Sequence, residues 1–247
     1  MKKNYIILPV YNDWDSLKKV LEILNQSFKT LKSNNFIIIV NDFSSKKFIL
    51  NNKYPNFKKI SVLNLNKNVG SQKAIFFGLK YLQKKIKKKN KETIISILDS
   101  DGEDNPNMVK KLIKLVNLKK DCFIFASRKT RTENNFLKAL NQFRLINTFI
   151  LTGKYINFGN FSSFPSFLLS KILSNNNLYL AYSSGVLKNY NKFFFVKIKK
   201  NKRFYGNSKV NLKFLIFHTV KIISVFYKTV FFRTFFLLVL TLLFLED

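Results

Sequence analysis

Cysteine, glycine, proline and carboxylates are all scarce in this 247-residue chain, and each shortage excludes something. The one cysteine, Cys122, rules out a disulfide within the chain and fits a reducing compartment. It lies in the apolar run Cys122-Phe123-Ile124-Phe125-Ala126, where a buried inert thiol is expected rather than a nucleophile or a ligand. The seven glycines form no Gly-x-Gly-x-x-Gly after the first strand and no Gly-Lys-Ser/Thr loop, so neither a Rossmann dinucleotide site nor a P-loop is supported. Met1-Lys2-Lys3-Asn4 runs straight into a strand without a signal-peptide apolar region, which places the body of the protein in the cytoplasm as an expectation. No internal repeat is visible.

Negative charge is the most informative shortage: 13 Asp+Glu stand against 44 Lys+Arg, a formal net charge of +31. Such an excess suits a nucleic-acid binder or a protein lying on an anionic membrane. Lys, Asn, Ile and Phe are abundant everywhere, however, and runs such as Lys84-Lys85-Ile86-Lys87-Lys88-Lys89 read as a solvated helix face, so no nucleic-acid partner is expected. Against that background the rarer charges stand out. Arginine occurs only at Arg128, Arg131, Arg144, Arg203 and Arg233, and where lysine is the default an arginine points to bidentate phosphate binding. Asp99-Ser100-Asp101-Gly102-Glu103-Asp104 holds four of the thirteen acidic residues.

The residues before that cluster, 93–98, read as a buried strand, so Asp99 and Asp101 fall where a strand runs out into a loop. In open α/β sheets that is where ligands bind. Two carboxylates one residue apart can share a hard divalent cation that completes its shell with diphosphate and water. The alternative is a solvated acidic turn with Gly102 making the bend.

With 47% hydrophobic residues the chain can bury one sizeable core, or a core plus a membrane attachment. Strand-like runs at 5–10, 36–40, 60–65, 93–98 and 122–126 alternate with helical patterns at about 15–33, 71–88 and 106–118, with a shorter connection near 45–52. That alternation predicts an α/β fold with a largely parallel sheet flanked by helices. Further on, 136–155 is an amphipathic helical stretch, 158–167 is rich in aromatics and serine, 193–198 reads as a strand and 199–209 as a basic loop. The expected division is a catalytic domain over 1–209, an interfacial amphipathic helix over 210–229, and a short transmembrane or membrane-inserted helix over 230–247. Residues 234–245 are free of charge, short of the about 20 residues a spanning helix needs.

Six motifs in order then carry a resemblance: Leu8-Pro9-Val10-Tyr11-Asn12-Asp13; Ile39-Val40-Asn41-Asp42-Phe43-Ser44-Ser45; Asn68-Val69-Gly70 with Ala74 and Gly78; Leu98-Asp99-Ser100-Asp101-Gly102-Glu103-Asp104; Ser127-Arg128; and Arg203-Phe204-Tyr205-Gly206-Asn207-Ser208-Lys209. Over nearly its whole length the chain resembles the family 2 glycosyltransferases, most closely the membrane-attached branch that includes dolichyl- and undecaprenyl-phosphate sugar transferases. The resemblance implies a GT-A-type fold and the transfer of one sugar from a UDP- or GDP-linked donor to a lipid-linked acceptor at the inner membrane, with the catalytic domain cytoplasmic. It implies that Pro9, Tyr11, Asp13 and Asp42 cradle the base and ribose, and that Asp99 and Asp101 hold Mg²⁺ or Mn²⁺ against the diphosphate. Arg203, with Ser208 and Lys209, corresponds to a basic loop that closes over the same diphosphate.

Arg128 and Arg131, just beyond the fifth strand, are candidates for an acceptor phosphate, with Arg144 either helping or pairing a structural carboxylate. Asp104 is the base candidate if the acceptor is a hydroxyl, since a hydroxyl must lose a proton and an ionised lipid phosphate need not. The processive Gln-x-x-Arg-Trp pattern is missing, and the single Trp14 lies in the first helical region. Three departures are clear: Asn41 replaces a usual Asp, Phe43 a frequent Gly, and Gly159-Asn160-Phe161-Ser162 stands where polyprenyl-phosphate enzymes usually have Gly-Asp-Phe-Arg. Asn160 therefore brings no charge to the acceptor side, and His218 is expected to be structural. A nucleotidyltransferase would need a Gly-rich basic loop after the first strand, which 8–15 lacks. A basic scaffold would account for the charge but not for the acidic cluster.

Overall fold

The computed structural model describes residues 2–49, 52–86, 91–128, 135–199, 201–206 and 212–243, with backbone alone for Arg128, 135–138 and 212–214. Seven strands are described: β1 (Lys3–Val10), β2 (Asn34–Asn41), β3 (Lys59–Asn64), β4 (Thr93–Ile97), β5 (Phe123–Arg128), β6 (Ser162–Pro165) and β7 (Phe193–Ile198). The helices are α1 (Trp14–Phe28), α2 (Ser71–Lys85), α3 (Met108–Lys119), α4 (Asn135–Thr152), α5 (Leu169–Ile172), α6 (Asn177–Leu180), α7 (Tyr182–Asn189), α8 (Leu212–Val225) and α9 (Tyr227–Leu243). The strands form one sheet in the order β3-β2-β1-β4-β6-β5-β7. Every pairing is parallel except those of β6, which runs against both β4 and β5. Ser162 pairs with Ile97 and Pro165 with Ile94, so the turn before β6 emerges beside the residues that follow β4.

Period-two alternation divides the core between the two faces of the sheet. Ile6, Leu8, Val10, Ile37 and Ile39 pack with Leu17, Leu21 and Leu24 of α1 and Leu112 and Val116 of α3. Their chain neighbours Ile7, Ile38 and Val40 point the other way, against Ile75, Leu79 and Leu82 of α2 and Val186 of α7. Each fully buried aliphatic side chain contributes about 1.5–3 kcal/mol. Polar pairs stitch the reversed strand in place. Ser96 and Ser163 share a 2.7 Å hydrogen bond across β4 and β6, and Ser162 shares one of 2.8 Å with the Tyr182 hydroxyl. Burial raises the Tyr182 phenol, which stays protonated.

The helical pattern expected over 15–33 stops at Phe28. A tight turn follows, with the Leu31 N–H on the Phe28 carbonyl and the Ser33 N–H on that of Leu31, and β2 opens at Asn34. The expected division at 229/230 also shifts, because the helix break falls at Phe226, between α8 and α9. Phe226 is buried with Ile156, Ala181, Ile222 and Val225, and this cluster holds the foot of α8 to the body. α9 buries none of its 17 residues. Arg233, inside this apolar helix, donates to the Ile150 carbonyl at 2.9 Å, satisfying an open carbonyl near the end of α4. Gly153 makes room for that contact: it sits at φ +69, and a Cβ there would lie 2.6 Å from the Arg233 Nη2. Among the described residues no single helix is long and apolar enough to cross a membrane; Leu215–Val225 and Tyr227–Leu243 pass together by length and composition, but are bent by 90°.

Candidate active site

β1 and β4 are parallel neighbours, so Tyr11, Asn12 and Asp13 emerge beside Asp99, Ser100 and Asp101 at the ligand-binding end of the sheet. Ser100 is buried and its hydroxyl donates to the Pro9 carbonyl at 2.8 Å, tying the two strand ends together. Asn12 adopts a left-handed φ of 52 and joins the loop after β2: its N–H donates to Ser44 Oγ, and its Oδ1 accepts from the Ser45 N–H at 2.8 Å. Tyr11 and Phe43 are exposed at this rim, 42% and 58%, and present aromatic faces to solvent. Phe43 holds a φ of 63, a conformation that costs a non-glycine residue roughly 1–2 kcal/mol. That explains why glycine suits the position, and what the phenylalanine adds is an exposed ring.

Residues 201–206 form a basic strap across the acidic loop. The Asn201 N–H donates to the Glu103 carbonyl at 2.9 Å and the Phe204 N–H to the Asp101 carbonyl at 3.0 Å. Between these anchors the Arg203 guanidinium pairs with Asp13 through Nη2 and lies 3.5 Å from Asp101 through Nη1, while its Nε donates to the Tyr205 carbonyl. Asp13 and Arg203 are 190 residues apart in sequence. The Phe204 ring closes on Gly102, whose φ of +82 and missing side chain are both required: a Cβ there would lie 2.3 Å from the ring. Burial is the main cause that pushes the Asp101 carboxyl above the usual carboxylate range, helped by Glu103 and Asp13 and opposed by the Glu103 N–H and Arg203.

Asp99 and Asp101 offer only oxygen donors, and Asp101 already pairs with a cation, Arg203. This chemistry fits Mg²⁺ or Mn²⁺. Among the described residues no three His, Cys, Asp or Glu side chains converge as a metal cage, so such an ion would draw the rest of its shell from diphosphate and water.

Two of the expected site carboxylates are buried. Asp42 is 3% exposed, and its two oxygens accept the Val69 and Gly70 N–H groups at 2.7 and 2.8 Å, so what it holds directly is the loop leading into α2. Asp104 is 6% exposed, on the loop that follows β4. Asn41 is a turn-former, accepting the Ser44 N–H at 2.9 Å and donating to Asn64. Asn160 is brought against Asp99, its Nδ2 3.5 Å from Oδ1, while its own Oδ1 accepts from Gln72 at 3.0 Å. Gln72 in turn accepts the Tyr182 N–H at 2.8 Å. Sequence reasoning missed Gln72, Ser100 and Phe204 as site-shaping residues; only the Gly102 position hinted at a close neighbour. Arg131, Ser208 and Lys209 lie outside the described residues, as does the Arg128 side chain. Arg144 donates to Asn141 Oδ1 at 3.0 Å.

Comparison with known proteins gives the family and the fold. The sequence model of the family described as Glycosyl transferase family 2 matches residues 5–176. An undecaprenyl-phosphate 4-deoxy-4-formamido-L-arabinose transferase of Serratia proteamaculans is 29% identical over 160 residues, covering 62% of this chain and 45% of its own length. An uncharacterized glycosyltransferase of Synechocystis is 29% identical over 135 residues, covering 54% of this chain and 40% of its own. The chain thus spans less than half the length of these curated relatives. Among solved structures, glucosyl-3-phosphoglycerate synthase from Mycobacterium tuberculosis with Mn²⁺, UDP-glucose and phosphoglyceric acid superposes with a TM-score of 0.61 at 11% identity, over 93% of this chain and 80% of that one. That likeness establishes the shared α/β fold.

Proposed function

The chain belongs to glycosyl transferase family 2, and from that premise we propose that it moves a single sugar from a UDP- or GDP-linked donor to a lipid-linked acceptor, with polyprenyl phosphate favoured. The observation that carries this reading is the clasp in which Arg203 bridges Asp13 and Asp101 beside Asp99, at the ligand-binding end of the sheet. It sets one basic group and the carboxylates for a cation around the place a diphosphate would take. The relatives named as undecaprenyl-phosphate sugar transferases support the acceptor, and the solved neighbour with Mn²⁺ and UDP-glucose supports the donor.

Asp99 and Asp101 are the residues that would hold Mg²⁺ or Mn²⁺, which when bound neutralises charge developing on the departing nucleoside diphosphate. Arg203 grips the same diphosphate once the strap engages donor rather than Asp13. Tyr11 and Phe43 present rings at the rim for the base. An oxygen of the acceptor phosphate forms the new bond at the anomeric carbon, in line with the diphosphate oxygen whose bond breaks, and that electron pair leaves with the nucleotide. Configuration inverts, and no general base is needed because the acceptor is already ionised.

The exposed apolar length of α9 supports attachment to the inner membrane with the catalytic domain on its cytoplasmic face. The test is transfer from labelled UDP- and GDP-sugars to undecaprenyl phosphate by the full chain in vesicles, with Mn²⁺ or with chelator. Metal-dependent label in the lipid phase, lost in Asp101→Ala, is expected. Full turnover by Asp101→Ala would overturn the site, and label appearing only on hydroxyl acceptors would overturn the phosphate acceptor.

A further inference from the structure

A cavity of about 450 Å³ lies well away from the acidic loop, lined by Lys154, Lys171 and Lys188 with Tyr190, Phe226 and Thr229 among its walls. Residues 189–191 lead into β7, which runs parallel to β5, and the Tyr190 hydroxyl donates to the Asp121 carbonyl just before β5. The cavity therefore opens at the starting end of these strands. The acidic loop follows β4 at the other end, a strand length of roughly 17–20 Å away, so a ligand here is not the reacting phosphate.

Its lysines have little negative charge to meet. No Asp or Glu occurs between Glu133 and Glu246, and the Asp121 carboxylate pairs with Lys91 at 2.7 Å. Lys188 donates to the Val225 carbonyl at the end of α8, and Lys171 lies 5.2 Å over the Tyr190 ring. Burial lowers the Lys188 ammonium below its usual range, and neighbouring Lys228 lowers it further. A second, mostly apolar cavity of about 770 Å³ is walled by Phe149, Ile150, Phe232 and Phe236 between α4 and α9, with Lys228 and Arg233 also in its lining, and Thr229 lines both. A cationic pocket that shares a wall residue with a mostly apolar groove matches a molecule with an anionic head and a hydrocarbon tail.

We propose that Lys154, Lys171 and Lys188 form a headgroup site for an anionic membrane phospholipid, separate from the reaction centre, which seats the foot of α9 at the bilayer surface. The proposal rests on the membrane-attached reading above. Its test is acetylation of each lysine in the full chain, followed by mass spectrometry, with phosphatidylcholine vesicles, with the same vesicles containing phosphatidylglycerol, or with inorganic phosphate alone. Phosphatidylglycerol should slow Lys154, Lys171 and Lys188 about fivefold or more relative to phosphatidylcholine and leave Lys84 and Lys85 of α2 unchanged. Equal protection by both vesicles, equal protection by inorganic phosphate, or matching protection of Lys84 and Lys85 would each overturn it. Flotation with neither vesicle would overturn the membrane reading as well. A double variant, Lys154→Gln with Lys171→Gln, leaves the Lys188 bond to α8 in place and should weaken phosphatidylglycerol-dependent flotation about tenfold. Lys84→Gln with Lys85→Gln should leave it unchanged, and equal losses in the two pairs would reduce the effect to diffuse charge.

Discussion

Two helices near opposite ends of the chain show what apolar residues are for in each place. α1 buries Trp14, Leu17, Val20, Leu21, Leu24 and Phe28 on one stripe and leaves Lys18, Lys19 and Glu22 off it. α9 is apolar almost all round, yet it buries nothing. The first has a sheet face to match; the second lies over α4 only along one edge, held by Arg233. Hydrophobicity alone does not distinguish a helix packed into a core from one left on the surface. Charge divides the same way, with carboxylates confined almost wholly to the first half, where the strap from the second half closes on them.

The sharpest way to break that contrast is Arg203→Ala, which removes the cation joining the halves. Loss of charge-assisted contacts to the diphosphate should weaken nucleotide binding with Mn²⁺ about 10–100-fold by calorimetry, with Arg203→Lys recovering only part. An unchanged affinity would mean the strap belongs to the fold and not to the site.

Next in size, Gly102→Ala forces a side chain into the Phe204 ring at φ +82 and should cost about 2 kcal/mol in urea unfolding. Adding Phe204→Ala should return part of that loss, since the two changes share one contact.

The pH dependence of stability examines the carboxylate-poor half. His218 on α8 is pushed down to about 4, first by burial and then by Arg144 and Lys221. A depressed imidazole is neutral in the fold while the unfolded chain takes up a proton near pH 6.5, so its stability is present above that pH and is lost as pH falls toward 4. The loss should be at most about 3 kcal/mol, and a melting curve of His218→Gln should lack that part of the slope.

The smallest effect is expected at Gly153→Ala, about 1 kcal/mol, because it disturbs only the seat of Arg233 at the end of α4. If it matched Gly102→Ala in cost, α9 would be as integral to the body as the strap.

Much of the fold was legible as pattern. The runs at 5–10, 36–40, 60–65, 93–98, 122–126 and 193–198 all became strands because short runs dominated by Ile, Val, Leu and Phe favour a buried extended segment. β6 was not legible: Ser162-Ser163-Phe164-Pro165 is buried throughout and has no alternation to read. In the site, Asp42 and Asp13 looked alike, each a carboxylate following a strand. One turned inward to the backbone of Val69 and Gly70, the other outward to Arg203.

The sequence by itself determined the alternation of strands and helices, the order of the motifs and the position of the acidic loop at a strand end, because these depend on local periodicity and composition. Only the tertiary structure decided that Asp13 meets Arg203, that Phe204 seals Gly102, and that three lysines from separate segments share one cavity. Those pairings follow from strand order and crossover, which bring distant residues together and leave no trace in local spacing.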